Sequence, residues 1–315
     1  MTHMGPRVQP ETDAIDVADT RKGGQERQEL DSRPQHSTEG VETGRPLTTH
    51  VKLRTLNNSF WSVMATQHGG NLSATASTPW VRTASLRRLK QVIKPADRVL
   101  DVGCGNGSSL LGPLSRKCFA YGVDMTEEML RNAKQLHPKA RGLCRSDACY
   151  LPFKSGSFDV VYSSRCVINV LTEEMQQVAL SEIFRVVKPG GTVVLMENFE
   201  EPLARMNRAR ELHRAGPPIV DAHNLPLNLQ RTLEYSQGMG WTALKTCSNS
   251  WASYVSNVVV PRIARNRGRW IAERILHPVY ISLCWFEDHA PVSVPLFGKD
   301  TTVVFRKVSD QAHPA

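Results

Sequence analysis

The chain has 315 residues, of which 40% are hydrophobic and 22% are charged. This is enough for one large domain with a packed core, or for two modest ones. No run approaches the roughly 18 consecutive apolar residues that a membrane span needs. The first residues also lack the cationic segment followed by an apolar one that marks a secretory signal. We therefore expect a soluble, cytoplasmic protein.

Charge is distributed unevenly along the chain. Residues 1–48 contain six basic and nine acidic residues, which leaves 33 basic and 21 acidic residues, or +12, for the remainder. The same segment is poor in aromatic residues and offers too little apolar surface to offset the entropy of ordering. We expect residues 1–48 to be a disordered tail and the folded part to be basic.

The cysteines do not suggest a metal or disulfide framework. There are seven of them, and no two form a Cys-x-x-Cys pair. Most stand in apolar or strand-like segments, which is typical of reduced core residues. We expect no metal site.

From residue 86 onward the pattern alternates between helix and strand. The predicted order is helix 86–93, strand 98–103, a short helix in 108–117, strand 118–124, helix 126–137, strand 158–164, helix 172–187 and strand 192–197. Thr126 and Thr172 are expected as helix caps, and Lys188-Pro189-Gly190-Gly191 should close the last helix. Such alternation indicates a parallel sheet with helices on both faces, and ligands bind such sheets at the carboxyl ends of the strands.

A glycine-rich turn follows the first strand. Gly103, Gly105 and Gly107 would let the backbone approach a ligand closely. A dinucleotide fingerprint would place its third glycine one position later. Asp101, inside this turn, would repel a pyrophosphate and favours a ligand with a cationic end, such as an ammonium or a sulfonium.

These stretches resemble the class I S-adenosylmethionine-dependent methyltransferases, close to the type found in ubiquinone and menaquinone biosynthesis. The five matching stretches are VLDVGCGNG, YGVDMTEEML, RSDACYLPF, SFDVVYSS and IFRVVKPGGTVVLME, in family order between Val99 and Glu197. The resemblance implies an α/β fold with a Rossmann-like, seven-stranded, mostly parallel sheet. Its last strand would be antiparallel and next to the fifth, and S-adenosyl-L-methionine would be the cofactor.

The resemblance also implies roles for particular residues. Asp124 would accept hydrogen bonds from both ribose hydroxyls, Asp147 would bind the adenine amine, and Ala148 would contact the ring through its backbone. The full implied cofactor set is Asp101, Gly103, Gly105, Gly107, Asp124, Met125, Asp147, Ala148 and Ser164. Two of these acids have a simpler interpretation, Asp124 as an acid at a helix N-terminus and Asp147 as a turn or cap residue.

The acceptor side is less clearly marked. In the resembling enzymes the loop after the fourth strand lies beside the transferred methyl group, so Arg165 and Asn169 would line the substrate, together with Trp61. Arg165 and Asn169 could instead be an outward-facing helix start and a turn residue. The motif Asp/Asn-Pro-Pro-Tyr is absent from this position, which argues against methylation of a flipped base.

Three residues are candidates for a catalytic base, namely His223, His68 and Glu197. A base is needed where the acceptor is a hydroxyl or an ammonium group. Each histidine could equally be a packing or surface residue, and Glu197 could cap the following helix. The sequence does not choose among them.

Four regions are expected along the chain. They are the tail 1–48, a helical lid 49–95 with Phe60, Trp61 and Trp80, the cofactor-binding core 96–200, and residues 201–308, which complete the sheet and add substrate-covering helices.

Arg82 in the lid could reach the methionine carboxylate of the cofactor or could be solvated. Two arginine clusters occur in the last region: Arg205, Arg208, Arg210 and Arg214, then Arg262, Arg265, Arg267, Arg269 and Arg274.

Methyl transfer to a small molecule is the function that this pattern favours. The acceptor would be a sugar or another secondary metabolite, including an anionic or carrier-linked one. One alternative is an RNA methyltransferase that uses the arginine clusters. The other is a non-catalytic module that retains the cofactor fold.

Overall fold

The computed structural model describes residues 47–71, 79–108, 110–219, 223–263, 276–289 and 295–307. The expected tail therefore lies almost entirely outside the described residues. Four of the five arginines of the second cluster, Arg265, Arg267, Arg269 and Arg274, also lie outside them.

Seven strands form one sheet in the order β3-β2-β1-β4-β5-β7-β6. The strands are β1 Arg98–Val102, β2 Phe119–Asp124, β3 Gly142–Arg145, β4 Phe158–Ser164, β5 Val187–Glu197, β6 Trp241–Ser248 and β7 Thr301–Lys307. Neighbours from β3 to β5 are parallel, whereas β7 runs antiparallel to both β5 and β6. The predicted fold class, including the antiparallel last strand beside the fifth, is confirmed.

Helices surround this sheet. They are α1 Leu47–His68, α2 Pro79–Val92, α3 Leu111–Leu114, α4 Glu127–Leu136, α5 Glu173–Arg185, α6 Glu200–Leu212, α7 Leu229–Gly238, α8 Ser250–Tyr254, α9 Val260–Ile263 and α10 His277–His289. Thr172 caps α5, since its side chain accepts a hydrogen bond from the Met175 N–H, whereas Thr126 makes no such bond with its side chain. None of the helices in the described ranges combines the length and apolar character needed to cross a membrane.

Alternating side chains of the central strands fill two cores, one on each face of the sheet. In β1, Leu100 packs into one core while its neighbour Val99 packs into the other. Val161 and Val160 divide in the same way on β4. This follows from the period of two in a strand, and it explains why the central strands appear in the sequence as continuous apolar runs.

Strand β5 begins earlier than predicted. Val187 already pairs with Phe158 of β4, and the ladder resumes with Thr192 opposite Val160. The Lys-Pro-Gly-Gly turn is therefore an irregularity inside β5 rather than a boundary between helix and strand. Gly190, with φ of +72°, provides the left-handed conformation that this turn requires.

A smaller apolar cluster joins the N-terminal and C-terminal helices. Trp80 and Ala84 of α2 pack against Ala252 of α8 and against Tyr280 and Cys284 of α10. The two regions that flank the sheet in sequence are therefore adjacent in space, and together they cover its carboxyl edge.

Candidate active site

A cavity of about 570 Å³ lies at the carboxyl edge of the sheet. Its walls come from the ends of β1, β2, β4, β5, β6 and β7 and from helices α1, α2, α6 and α8. Most of the predicted site residues line it: Asp101, Gly103, Gly105, Asp124, Met125, Asp147, Ala148, Ser164, Arg165, Asn169, Trp61 and His223. Gly107, His68 and Glu197 are not among the lining residues.

The glycine turn has a backbone that other residues rarely adopt. Gly103, Gly105 and Gly107 have φ values of +76°, +54° and +72°. A Cβ atom on Gly103 would collide with the side chain of Cys166, and one on Gly107 would lie 2.8 Å from the ring of His137. Glycine is therefore required by the turn itself as well as by any ligand held against it.

Two acids flank this turn, Asp101 buried and Asp124 half-buried. Asp124 accepts hydrogen bonds from the N–H groups of Gly105 (2.9 Å) and Thr126 (2.8 Å), while burial raises its pKa. Asp101 is only 3% exposed, and burial, reinforced by the charge of Asp124, raises its pKa to about 8. Two carboxyl groups in this setting favour a cation or hydroxyl donors as their ligand.

Helix α1 is tied across the cofactor side of the cavity. Arg54 forms an ion pair with Asp147 (2.8 Å), which also accepts a hydrogen bond from the Cys149 N–H (2.9 Å). The side-chain amide of Asn57 donates to the Asn169 carbonyl. Neither Arg54 nor Asn57 was singled out from the sequence, because nothing local distinguishes them from other polar residues of a solvated helix.

The loop after β4 is held in a conformation that is unusual for its residues. Arg165 has a φ of +54°, in the left-handed region that is rare for residues other than glycine. Glu197 is fully buried beneath this loop, and its carboxylate accepts hydrogen bonds from Cys166 N–H (3.1 Å), Val167 N–H (3.2 Å) and the Ser163 hydroxyl. The geometry thus makes Glu197 a support for the loop, and we do not retain it as a base.

His223 is the candidate base that reaches the cavity. Its ring stacks on Phe60 with centroids 4.7 Å apart and meets the edge of Trp61 at 5.9 Å. Both aromatic residues belong to α1, so this contact joins α1 to the segment after β5. His68, at the end of α1, does not line the cavity, and we do not retain it either.

The opposite half of the cavity is rich in amide, hydroxyl and basic groups. Asn198 follows β5 directly, Asn249 follows β6, and Arg210 contributes from α6. Arg210 is buried and donates to the carbonyls of Pro217 (3.1 Å) and Asn257. The first arginine cluster is therefore not a single solvated surface, because Arg210 points inward while Arg205, Arg208 and Arg214 are exposed.

Comparison with known proteins agrees with this architecture. Residues 100–195 match a family model described as a methyltransferase domain. The chain is 37% identical over 132 residues to the demethylmenaquinone methyltransferase of Streptomyces avermitilis, which is 41% of this chain and 55% of that protein. It is 25% identical over 209 residues to a tRNA (carboxymethyluridine(34)-5-O)-methyltransferase of Xenopus tropicalis, which is 63% of this chain and 32% of that protein.

A solved structure shares the fold. It is a chain of the complex between the Haloferax volcanii Trm112 methyltransferase activator and a methyltransferase, with a TM-score of 0.50, 18% identity, and coverage of 84% of this chain and 99% of that one. The matched part thus covers about half or less of the length of these two curated relatives, but nearly the whole length of this structural neighbour.

The sheet order, the glycine turn at the end of β1 and the acid at the end of β2 define a Rossmann-like protein with a cavity at the carboxyl edge of its sheet. Residues 100–195 match the methyltransferase domain family, and this match, the demethylmenaquinone methyltransferase relative and the sheet order together support a class I S-adenosylmethionine-dependent methyltransferase. The resemblance found in the sequence is confirmed at the level of the class.

Proposed function

We propose that the protein transfers a methyl group from S-adenosylmethionine to a small-molecule acceptor, a sugar or another secondary metabolite. The observation that carries the proposal is one continuous cavity lined by the glycine turn and its acids and, on its other side, by polar residues of the C-terminal elements. A volume of about 570 Å³ is in the range of small-ligand sites.

The residues on the cofactor side fit this ligand. Gly103 and Gly105 line the cavity with left-handed backbone that lets a ligand approach closely, and Asp101 offers a carboxyl group to the ammonium or sulfonium end. Asp124, at the end of β2, would accept from the ribose hydroxyls, and Asp147 and Ala148 would contact the adenine. Arg82 lines the cavity and would pair with the carboxylate of the methionine portion.

When bound, the cofactor supplies a methyl group that its sulfonium already activates. Transfer breaks the bond between that carbon and sulfur and forms one to the acceptor atom, so the chain must align the two and exclude water. The loop of Arg165 and Asn169, supported by Glu197, would position the acceptor. For a hydroxyl or ammonium acceptor, His223 would take the released proton.

Several features favour a small acceptor. Helix α1 is tied across the cavity by the ion pair of Arg54 and by the Asn57 hydrogen bond, which restricts access. Arg165 and Lys299 also line the wall, so an anionic or carrier-linked acceptor would meet basic groups there.

Calorimetric titration of the purified protein tests the proposal. We expect S-adenosylmethionine and S-adenosylhomocysteine to bind and NAD not to bind. Acceptor candidates would then be screened with isotope-labelled methyl donor. Binding of NAD alone, or of none of the three ligands, would overturn the proposal.

A tRNA acceptor is the second candidate, because the relative from Xenopus tropicalis that is named for it aligns with 63% of this chain. The buried position of Arg210 weakens this candidate, since that residue would not reach an RNA backbone. Transfer of the labelled methyl group to tRNA but to no small molecule would favour it.

A further inference from the structure

A row of polar residues crosses the three strands on the acceptor side of the sheet. Glu197 of β5 pairs with Thr301 of β7, and Thr301 pairs with Ser248 of β6. One position beyond this row, at the carboxyl edge, come Asn198, Asp300 and Asn249, and all three line the cavity. Because neighbouring strands lie about 4.8 Å apart and β7 lies between β5 and β6, the backbones of Asn198 and Asn249 are separated by about 10 Å, with Asp300 between them.

Asn249 is an asparagine without the hydrogen bonds expected of it. It has no exposed surface, and within the described part of the chain neither its side-chain oxygen nor its nitrogen has a partner. It occupies the N-cap position of α8, where an asparagine side chain normally accepts from a backbone N–H, yet it makes no such bond. Since both ends of the amide lack partners, exchanging oxygen and nitrogen would not change this.

Four further residues of the cavity wall have a buried polar side-chain atom without a partner among the described residues, namely Asn57, Asn169, Asn198 and Trp80. Asn198 is 2% exposed, and its side-chain oxygen lacks a partner among the described residues. Trp80 of α2 is 4% exposed, and its indole N–H likewise has none there. Most buried polar side-chain atoms in proteins are hydrogen-bonded, so a group of such atoms around one cavity indicates a ligand that completes them.

We propose that Asn198, Asn249 and Trp80 anchor the acceptor, and that the acceptor carries neighbouring hydroxyl groups on a ring. The three residues offer two acceptors, Asn198 Oδ1 and Asn249 Oδ1, and two donors, Asn249 Nδ2 and Trp80 Nε1. A hydroxyl both donates and accepts, whereas an anion would only accept and a cation would only donate. The inference rests on the proposed function, because the other half of the cavity must hold the methyl donor.

Thermal stability tests whether the side-chain amides of Asn249 and Asn198 serve ligand binding rather than folding. Asn228 provides the matched control, because it caps α7 and its side chain does accept from Arg231 N–H (2.9 Å). We expect Asn228→Leu to lower the Tm by about 2–4 °C. Asn249→Leu and Asn198→Leu should leave the Tm unchanged or raise it, since each removes a buried, unpaired polar group. A fall in Tm for Asn249→Leu as large as that of the control would overturn the proposal.

Ligand binding provides the second test. The protein saturated with S-adenosylhomocysteine would be titrated with methyl α-mannoside, myo-inositol and catechol, each beside an analogue with one hydroxyl group, and binding would be followed by saturation-transfer NMR. We expect at least one diol to bind, with affinity reduced at least about tenfold in Asn249→Leu and Asn198→Leu and retained in Asn228→Leu.

The two proposals fail in different ways. If the wild type does not bind S-adenosylhomocysteine, the proposed function fails. If it binds S-adenosylhomocysteine but no diol, or binds a diol equally well in all variants, only the anchoring site is wrong. Unchanged binding of S-adenosylhomocysteine by Asn249→Leu would show that the variant is folded.

Discussion

Asp101, Asp124 and Gly105 meet at the ends of two neighbouring strands. The Gly105 N–H donates to Asp124, so the turn after β1 and the acid after β2 hold each other in place. Burial raises the pKa of both acids, because the protein solvates a charged carboxylate less well than water does. Three predictions follow from this small set of residues.

Gly105→Val should abolish binding of S-adenosylhomocysteine. The variant places a branched side chain in the cavity wall and forces it into a backbone conformation with φ of +54°. Gly190→Val is the matched control, since Gly190 has a φ of +72° and open space around it, away from the cavity. Both variants should lose stability, but only the first should lose binding in calorimetry. Equal binding by the two would contradict our placement of the cofactor.

Asp124→Ala should weaken binding of the cofactor by about 1.5–3 kcal/mol, the range for hydrogen bonds to a charged group. Asp159→Ala serves as the control because Asp159 also accepts from a backbone N–H, that of Arg98, and from Lys188, but at the opposite edge of the sheet. Its affinity for S-adenosylhomocysteine should match that of the wild type. Unchanged affinity in Asp124→Ala would remove the assignment to the ribose.

Binding of S-adenosylmethionine should strengthen as the pH rises from 6 to about 8. With a pKa of about 8, Asp101 is largely neutral at the lower pH, and a cationic ligand favours its ionised form, so binding releases a proton. Because the pKa of Asp101 is raised in the folded protein, the folded state holds a proton that the unfolded state has lost, and the contribution of Asp101 to folding stability falls as the pH rises between about 4 and 8. Titrations in buffers of different ionisation enthalpy would measure the proton release. Asp101→Asn should flatten the pH dependence of binding. An equally steep pH dependence in that variant would refute the role of Asp101.

At the scale of elements, helices α2 and α10 are joined by a buried ion pair. Asp288 of α10 accepts from Arg87 (2.6 Å) and Arg88 (2.8 Å) of α2, and Arg88 also donates to Thr302 of β7 (3.2 Å). Burial alone would raise the pKa of Asp288, but the two arginines outweigh it and lower the pKa. This network attaches the C-terminal helix to the wall of the cavity.

Asp288→Asn should destabilise the fold by about 3–5 kcal/mol, because it leaves Arg88, which is 4% exposed, charged and without its carboxylate. Glu173→Gln is the control, since its ion pair with Arg231 is exposed and should change stability by less than about 1 kcal/mol. Urea unfolding followed by circular dichroism would measure both. Similar midpoints for the two variants would show that the pair contributes little.

At the scale of the whole molecule, the net charge of +9 predicts attraction to any polyanion. We expect labelled tRNA and heparin to compete with each other and to bind far more weakly as salt rises from about 50 to about 200 mM, since such binding depends on counterion release. No methyl group should be transferred to the tRNA. Incorporation of labelled methyl into tRNA would favour the RNA acceptor over a small molecule.

Local features were predictable because local physics determines them. The apolar strands, the Thr172 cap and the glycine turn depend on residues within a few positions of each other, and the structure has each of them. The early start of β5 was missed, since Val187 pairs with Phe158 only through the sheet. The place of β7 beside β5 followed from the family resemblance, not from any local pattern, and its place beside β6 is seen only in the structure.

The sequence by itself predicted the order of the strands and helices in the core, except for β3, and, through its motifs, the class of cofactor. Tertiary structure alone decided which distant residues share the cavity. It turned Arg210 inward, placed Glu197 beneath the β4 loop, brought Arg54 to Asp147 and aligned Asn198 with Asn249 across β7. These pairings depend on strand register and helix packing between segments far apart in the chain, and such contacts leave no periodic trace in a single sequence.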